Sequence, residues 1–89
     1  MDSAHEFAPL GVQGNYIKLG GKSVLSLGEE TNAVFSSNSE PWFKVTIMKG
    51  KIYGFSNKFD KEFINLNDLV GWLNKNGYRY TGVESNEEA

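Results

Sequence analysis

Apolar and polar residues alternate along most of the chain, and the period lengthens once, near residue 66. Period-two alternation sends successive side chains to opposite faces of a strand. The first such stretch is "NYIKLGGKSVLSLG", where Tyr16 to Leu19 and Lys22 to Leu27 make two short runs. Gly20-Gly21 between them can take the positive φ of a two-residue hairpin turn. That register sets Ile17 opposite Val24, with both side chains inward. Gly28, Glu29 and Glu30 read as a turn. "TNAVFSS" reads as a third strand, with Ala33 and Phe35 on one face and Val34 on the other. "SSNSEP" carries loop signals. A hairpin over residues 42 to 56 follows, and then a polar connection, "NKFDKEF", with two Phe anchors.

The longer period begins in "INLNDLVGWLNKNG". Leu66, Leu69, Val70 and Leu73 fall at i, i+3, i+4 and i+7, one stripe of a helix. Asn65 or Asn67 can cap its first turn, and Asp68 suits the positive end. Lys75 suits the other end, and Gly77 the left-handed position after it. Gly71 inside the helix costs roughly 1 kcal/mol relative to Ala. That cost suggests a close approach to the sheet, or a position that admits little else. "YRYTGV", residues 78 to 83, reads as a last strand.

The expected fold is α+β: a small antiparallel β-sheet of about five or six hairpin-linked strands, packed by one C-terminal amphipathic helix and followed by a short strand. Residues 1–14, with Pro9, Gly11 and Gly14 and no periodicity, read as a flexible leader, in part of expression-vector origin. Residues 15–83 read as the single domain, and residues 84–89 as an acidic flexible tail. Phe35, Phe59 and Phe63 are assigned to the core. Trp72, three residues after Leu69, sits at the flank of the helical stripe, where it seals the edge of the core.

The hairpin "KVTIMKGKIYGF" has two registers, and they differ in which face its rings occupy. With a two-residue turn at Lys49-Gly50, Ile47 pairs with Ile52, Thr46 with Tyr53 and Lys44 with Phe55. Phe43, Val45, Ile47 and Ile52 then form a core face. Trp42, Lys44, Thr46, Lys51, Tyr53 and Phe55 form the opposite, aromatic and basic face. With a bulge at Gly50 the second strand slips by one, and Tyr53 and Phe55 turn inward. The tight turn is preferred because it keeps Ile52 inside.

Charge sharpens this picture. Residues 15 to 83 hold nine basic and six acidic groups, and the other five acids lie near the ends. Within residues 42 to 61 there are five Lys and one acid, Asp60. The hairpin region is therefore basic on a chain of net charge −2. Such lysines commonly do no more than solvate an exposed sheet and block edge pairing. No apolar run approaches the roughly 18 residues of a membrane span. The N-terminus has no basic region followed by an apolar one, as a secretory signal has. The chain has no cysteine, which excludes disulfides and thiolate zinc sites. These features favour a cytoplasmic setting.

Candidate chemistry is sparse. The chain has one His, His5 in the leader, and no nucleophile elbow. Glu29-Glu30 and Asp60-Lys61-Glu62 read as solvated loops rather than acid–base pairs. No glycine pattern cradles a phosphate, and no ligand set gathers a metal. The expectation is no enzyme, no cofactor and no metal. Binding is the remaining class, with Trp42, Lys44, Lys51, Tyr53, Phe55 and Trp72 as the partner contacts. Aromatic residues with a few charges make up interface centres, so a protein partner is the first expectation, with a homodimer through the sheet as one form of it. A small regulator or inhibitor, such as an accessory protein of bacteria or phage, fits that description. The 8:1 Lys-to-Arg ratio and nine Asn point to an A/T-rich source. The alternative is single-stranded nucleic acid, with rings stacking on bases and Lys on phosphates. The order of hairpins and then a helix is similar to small transcriptional-coactivator-like domains that bind single-stranded DNA, a likeness of topology without a shared motif.

Overall fold

A computed structural model of the chain describes residues 10–20, 23–29 and 31–85. Its elements are β1 (Gly11–Gln13), β2 (Tyr16–Gly20), β3 (Ser23–Leu25), β4 (Thr31–Ser36), β5 (Phe43–Met48), β6 (Lys51–Phe55), β7 (Asp60–Phe63), α1 (Leu66–Lys75) and β8 (Arg79–Ser85). All strand pairs are antiparallel. They form a three-stranded sheet, β1-β2-β3, and a five-stranded sheet, β7-β6-β5-β4-β8. The α+β class holds, with a second small sheet added to the expected one.

The two additional strands come from segments that the sequence reads as irregular. β1 lies in the expected leader, and Leu10 before it is buried in the core. The Asn74 side chain holds Leu10 as a strand neighbour would. The Leu10 N–H donates to Asn74 Oδ1 at 2.9 Å, and Asn74 Nδ2 donates to the Leu10 carbonyl at 3.0 Å. Residues 1–9, with His5, and residues 86–89 of the expected tail lie outside the described residues. β7 lies in the expected connection, where Asp60 and Glu62 hide the alternation because both face solvent at a sheet edge. The last strand runs past the expected residue 83 to Ser85.

The β2–β3 hairpin also departs from expectation. Ile17 pairs with Leu25 and Lys18 with Val24, with an irregularity between Lys18 and Gly20. Ile17 and Leu25 are therefore inward, and Val24 is exposed. Leu25 supplies the larger inward side chain, so this slip buries more apolar surface than the expected pairing.

Helix α1 follows its sequence signals. Asn65 is the N-cap, and its Oδ1 accepts from the Asp68 N–H at 2.8 Å. Asp68 reaches back and accepts from the Ile64 N–H at 3.0 Å. Asn65 thus satisfies a donor that the helix start leaves open, and Asp68 fastens the residue before the cap. At the other end the Tyr78 N–H donates to the Leu73 carbonyl and the Gly77 N–H to the Asn74 carbonyl. Gly77 has φ 75°, so this is a Schellman motif. It ends the helix and turns the chain into β8. Because α1 follows β7 and precedes β8, it joins the two edges of the five-stranded sheet. It must therefore cross the core side of that sheet.

One core results. Ala33, Phe35, Phe43, Val45, Ile52 and Phe63 come from one face of the large sheet, Leu10, Ile17 and Leu25 from the small sheet and its lead-in, and Leu69, Val70 and Leu73 from the helix. Two core expectations need correction. Phe59 is 38% exposed and only lies against the core, stacked on Phe43 at 5.6 Å. Gly71 is exposed, and a Cβ there would meet nothing within 4 Å, so neither close approach nor lack of space explains it. The glycine that does make a close approach is Gly54. A Cβ there would collide with the ring of Phe43, which is fully buried.

Candidate functional site

The hairpin takes the tight-turn register: Lys44 with Phe55, Val45 with Gly54, Thr46 with Tyr53, Ile47 with Ile52, and Met48 with Lys51. Lys49 and Gly50 have φ of 54° and 78°, the signs a type I′ turn requires. Ile52 is buried, as the tight turn requires.

The alternation then decides the second face. Val34 pairs with Lys44, Lys44 with Phe55, and Phe55 with Asp60, so these four share the side away from the core. Thr46, Tyr53 and Glu62 form the next row on that side. Ser36 pairs with Arg79, and Asn32 pairs with Glu84. Among the described residues no helix or strand lies over this face.

Its side chains are held by one another. The Trp42 and Phe55 rings meet edge to face, with centroids 6.2 Å apart. Lys44 Nζ lies 5.1 Å from the Trp42 ring centroid and forms an ion pair with Glu84. Lys51 Nζ lies 3.8 Å from Glu62 Oε2. Thr46 is buried, and its Oγ1 reaches the carbonyl oxygens of Thr31 at 3.2 Å and Gly28 at 3.4 Å. That contact ties the β3–β4 turn to β5. At the hairpin end a groove of about 390 Å³ is lined by Glu29, Ile47, Met48, Lys49 and Tyr53.

Five of the six residues expected to contact a partner therefore share one surface: Trp42, Lys44, Lys51, Tyr53 and Phe55. Trp72 does not join them. It stands on α1, on the other side of the sheet, with its ring 5.1 Å from Phe43, 5.6 Å from Phe63 and 5.3 Å from Tyr78, where it is stacked. A single contact surface cannot hold both tryptophans. The core-edge position expected for Trp72 is the one it occupies.

Three acids on this face escaped sequence reasoning. Asp60 and Glu62 lie on β7, read as a connection, and Glu84 lies on β8, read as tail. Counting Lys44, Lys51 and Arg79 against Asp60, Glu62 and Glu84 gives three positive and three negative charges on the face. The hairpin is basic in sequence, but the face it joins is balanced. The signal that could have found the acids is the spacing of Asp60 and Glu62 to Phe63, which is a period-two strand with its apolar residue inward.

A second polar feature lies at the end of the core near the 37–41 loop. Glu40 is buried, and its Oε1 has no hydrogen-bond partner among the described residues, while Oε2 lies 3.6 Å from Lys58 Nζ. Ser37 Oγ accepts from the Glu40 N–H at 3.1 Å. Burial raises the Tyr78 hydroxyl above its ordinary pKa of 10.0, a hydrogen bond with Ser37 opposes that, and the charge of Glu40 adds to it. Among the described residues no three acidic or imidazole groups gather as a metal site would need, and no helix is long and apolar enough to cross a membrane.

No family model, no curated protein and no solved structure matches this chain.

Proposed function

We propose that this chain is a non-enzymatic binding protein that docks a partner protein on the outer face of its five-stranded sheet. A regulator or inhibitor acting in the cytoplasm of a bacterium, or of a bacterium infected by phage, is the setting this reading implies. The observation that carries it is the gathering of Trp42, Lys44, Tyr53 and Phe55 on a face that, among the described residues, no helix or strand covers and whose charges balance. Half-exposed rings with paired charges around them have the make-up of a protein interface. A polyanion would instead gain most from unpaired cations. Two of the cations here already face carboxylates.

Affinity capture with the native chain and with a Trp42→Ala/Phe55→Ala variant tests the proposal. A captured protein should lose affinity for the variant by roughly 30-fold or more, as the loss of two central anchors would cause. Its binding should change little between low and moderate salt. If the native chain instead binds labelled oligonucleotide at micromolar concentration, with steep loss as salt rises, the nucleic-acid reading replaces this one.

A further inference from the structure

The five-stranded sheet has two edges, and they differ. At one edge β7 is four residues long and carries Asp60, Lys61 and Glu62 in succession. Short length and dense charge are how natural sheets stop an edge from pairing. At the other edge β8 is seven residues long and uncharged from Tyr80 to Val83. Val83 is 57% exposed there, although its partner Ala33 is 1% exposed. Among the described residues no strand pairs with the free side of β8.

We propose that two copies of the chain pair antiparallel through β8 and join their five-stranded sheets into one sheet of ten. Side-chain direction selects the register. The ladder shifts between Val34 and Phe35, so Tyr80 and Val83 face the core side while Arg79 and Glu84 face the outer side. Around a two-fold axis only matched faces can lie opposite. The register that sets Arg79 opposite Glu84 of the second copy meets this condition, and it sets Tyr80 opposite Val83 of the second copy. Each interface then holds two opposite-charge pairs and two aromatic–β-branched pairs, combinations that stabilise antiparallel ladders. The bulge that commonly blunts an edge is here what makes this register consistent. Lys44 reaches Glu84 from within its own sheet, so that ion pair and the new one sit on different sides of the carboxylate. The pairing also places two outer faces side by side, and doubles the platform offered to a partner.

Sedimentation velocity on the full chain tests the proposal. The contact involves one strand per copy, so it belongs with small interfaces, and a dissociation constant of about 10–100 µM is expected. Val83→Lys should weaken the dimer at least tenfold while the circular dichroism spectrum stays native. A second measurement fixes the register. The chain has no cysteine. In an Arg79→Cys/Glu84→Cys variant the two positions lie too far apart along one strand to join. Opposite residues of an antiparallel pair, by contrast, have Cα atoms about 4.5–5.5 Å apart, within disulfide reach. Oxidation should give a covalent dimer linked 79 to 84, while Arg79→Cys alone should stay uncrosslinked. A native chain that sediments as a monomer up to about 1 mM, ten times the weakest expected constant, would overturn the proposal. So would a double variant that crosslinks no faster than the single one.

Discussion

Gly54 and Phe43 show how one residue can set the shape of a core. Phe43 is fully buried, and its ring packs against Phe63, Trp72 and Tyr78. The ring lies over Gly54 on the neighbouring strand because nothing projects from that position. A methyl group there has no room, and the ring has no free side to move toward. Gly54→Ala should therefore destabilise the fold by about 1–3 kcal/mol, the usual cost of overpacking, read as a lower urea midpoint at unchanged slope. Tyr78 provides a second test at this scale. Its pKa is raised in the folded chain, chiefly by burial. A group whose pKa rises on folding holds more protons in the folded state, so its contribution is complete below the unfolded pKa. It is lost as pH climbs through the folded value. Stability should thus fall above about pH 10 with a share that Tyr78→Phe removes. Denaturation midpoints of both proteins at pH 8 and pH 11 measure that share. A loss unchanged in Tyr78→Phe would assign the alkaline effect to other groups.

Element by element, legibility in the sequence followed the strength of the local signal. Helix α1 carries a full apolar stripe, a capping Asn and a terminal Gly, and its limits fall where those signals place them. The β5–β6 hairpin was legible too, because only the tight turn buries Ile52. β1 and β7 were not. Each has too few apolar residues to show a period, and each is held by tertiary contacts: β1 by pairing with β2 and, through Leu10 before it, by Asn74, and β7 by pairing with β6. The acids of the outer face were missed for the same reason, since they belong to β7 and to the end of β8. Asn74→Ala should accordingly act on β1 first. Losing two hydrogen bonds should cost about 1–3 kcal/mol and speed amide exchange in residues 10–18 more than in β5 or β6. Uniform loss of protection would show that β1 and the large sheet unfold as one unit. In α1 itself, Gly71 occupies an exposed interior position with open space around it. Gly71→Ala should stabilise the chain by up to about 1 kcal/mol, raising the melting temperature by a few degrees.

For the whole molecule, the two faces of one sheet have different surroundings. One face meets α1 and the small sheet and contributes six residues to the core. The other carries rings that are only half buried and ion pairs that stand in water. Burial of apolar area dominates folding, so the first face should hold most of the stability. Surface ion pairs add little, and an exposed edge-to-face ring pair adds roughly 0.5–1.5 kcal/mol. If the outer rings serve binding, their removal should leave the fold nearly intact. Trp42→Ala/Phe55→Ala should lose no more than about 2 kcal/mol, whereas Phe43→Ala on the core face should lose about 3–5 kcal/mol. Urea unfolding of the three proteins makes the comparison directly. Equal losses would mean that the outer rings are needed for folding, and the outer face would lose its standing as an interface. A small loss would show that the outer rings contribute little to folding, which is what docking through them requires of the fold, and the capture experiment with the same variant then reads their part in binding directly.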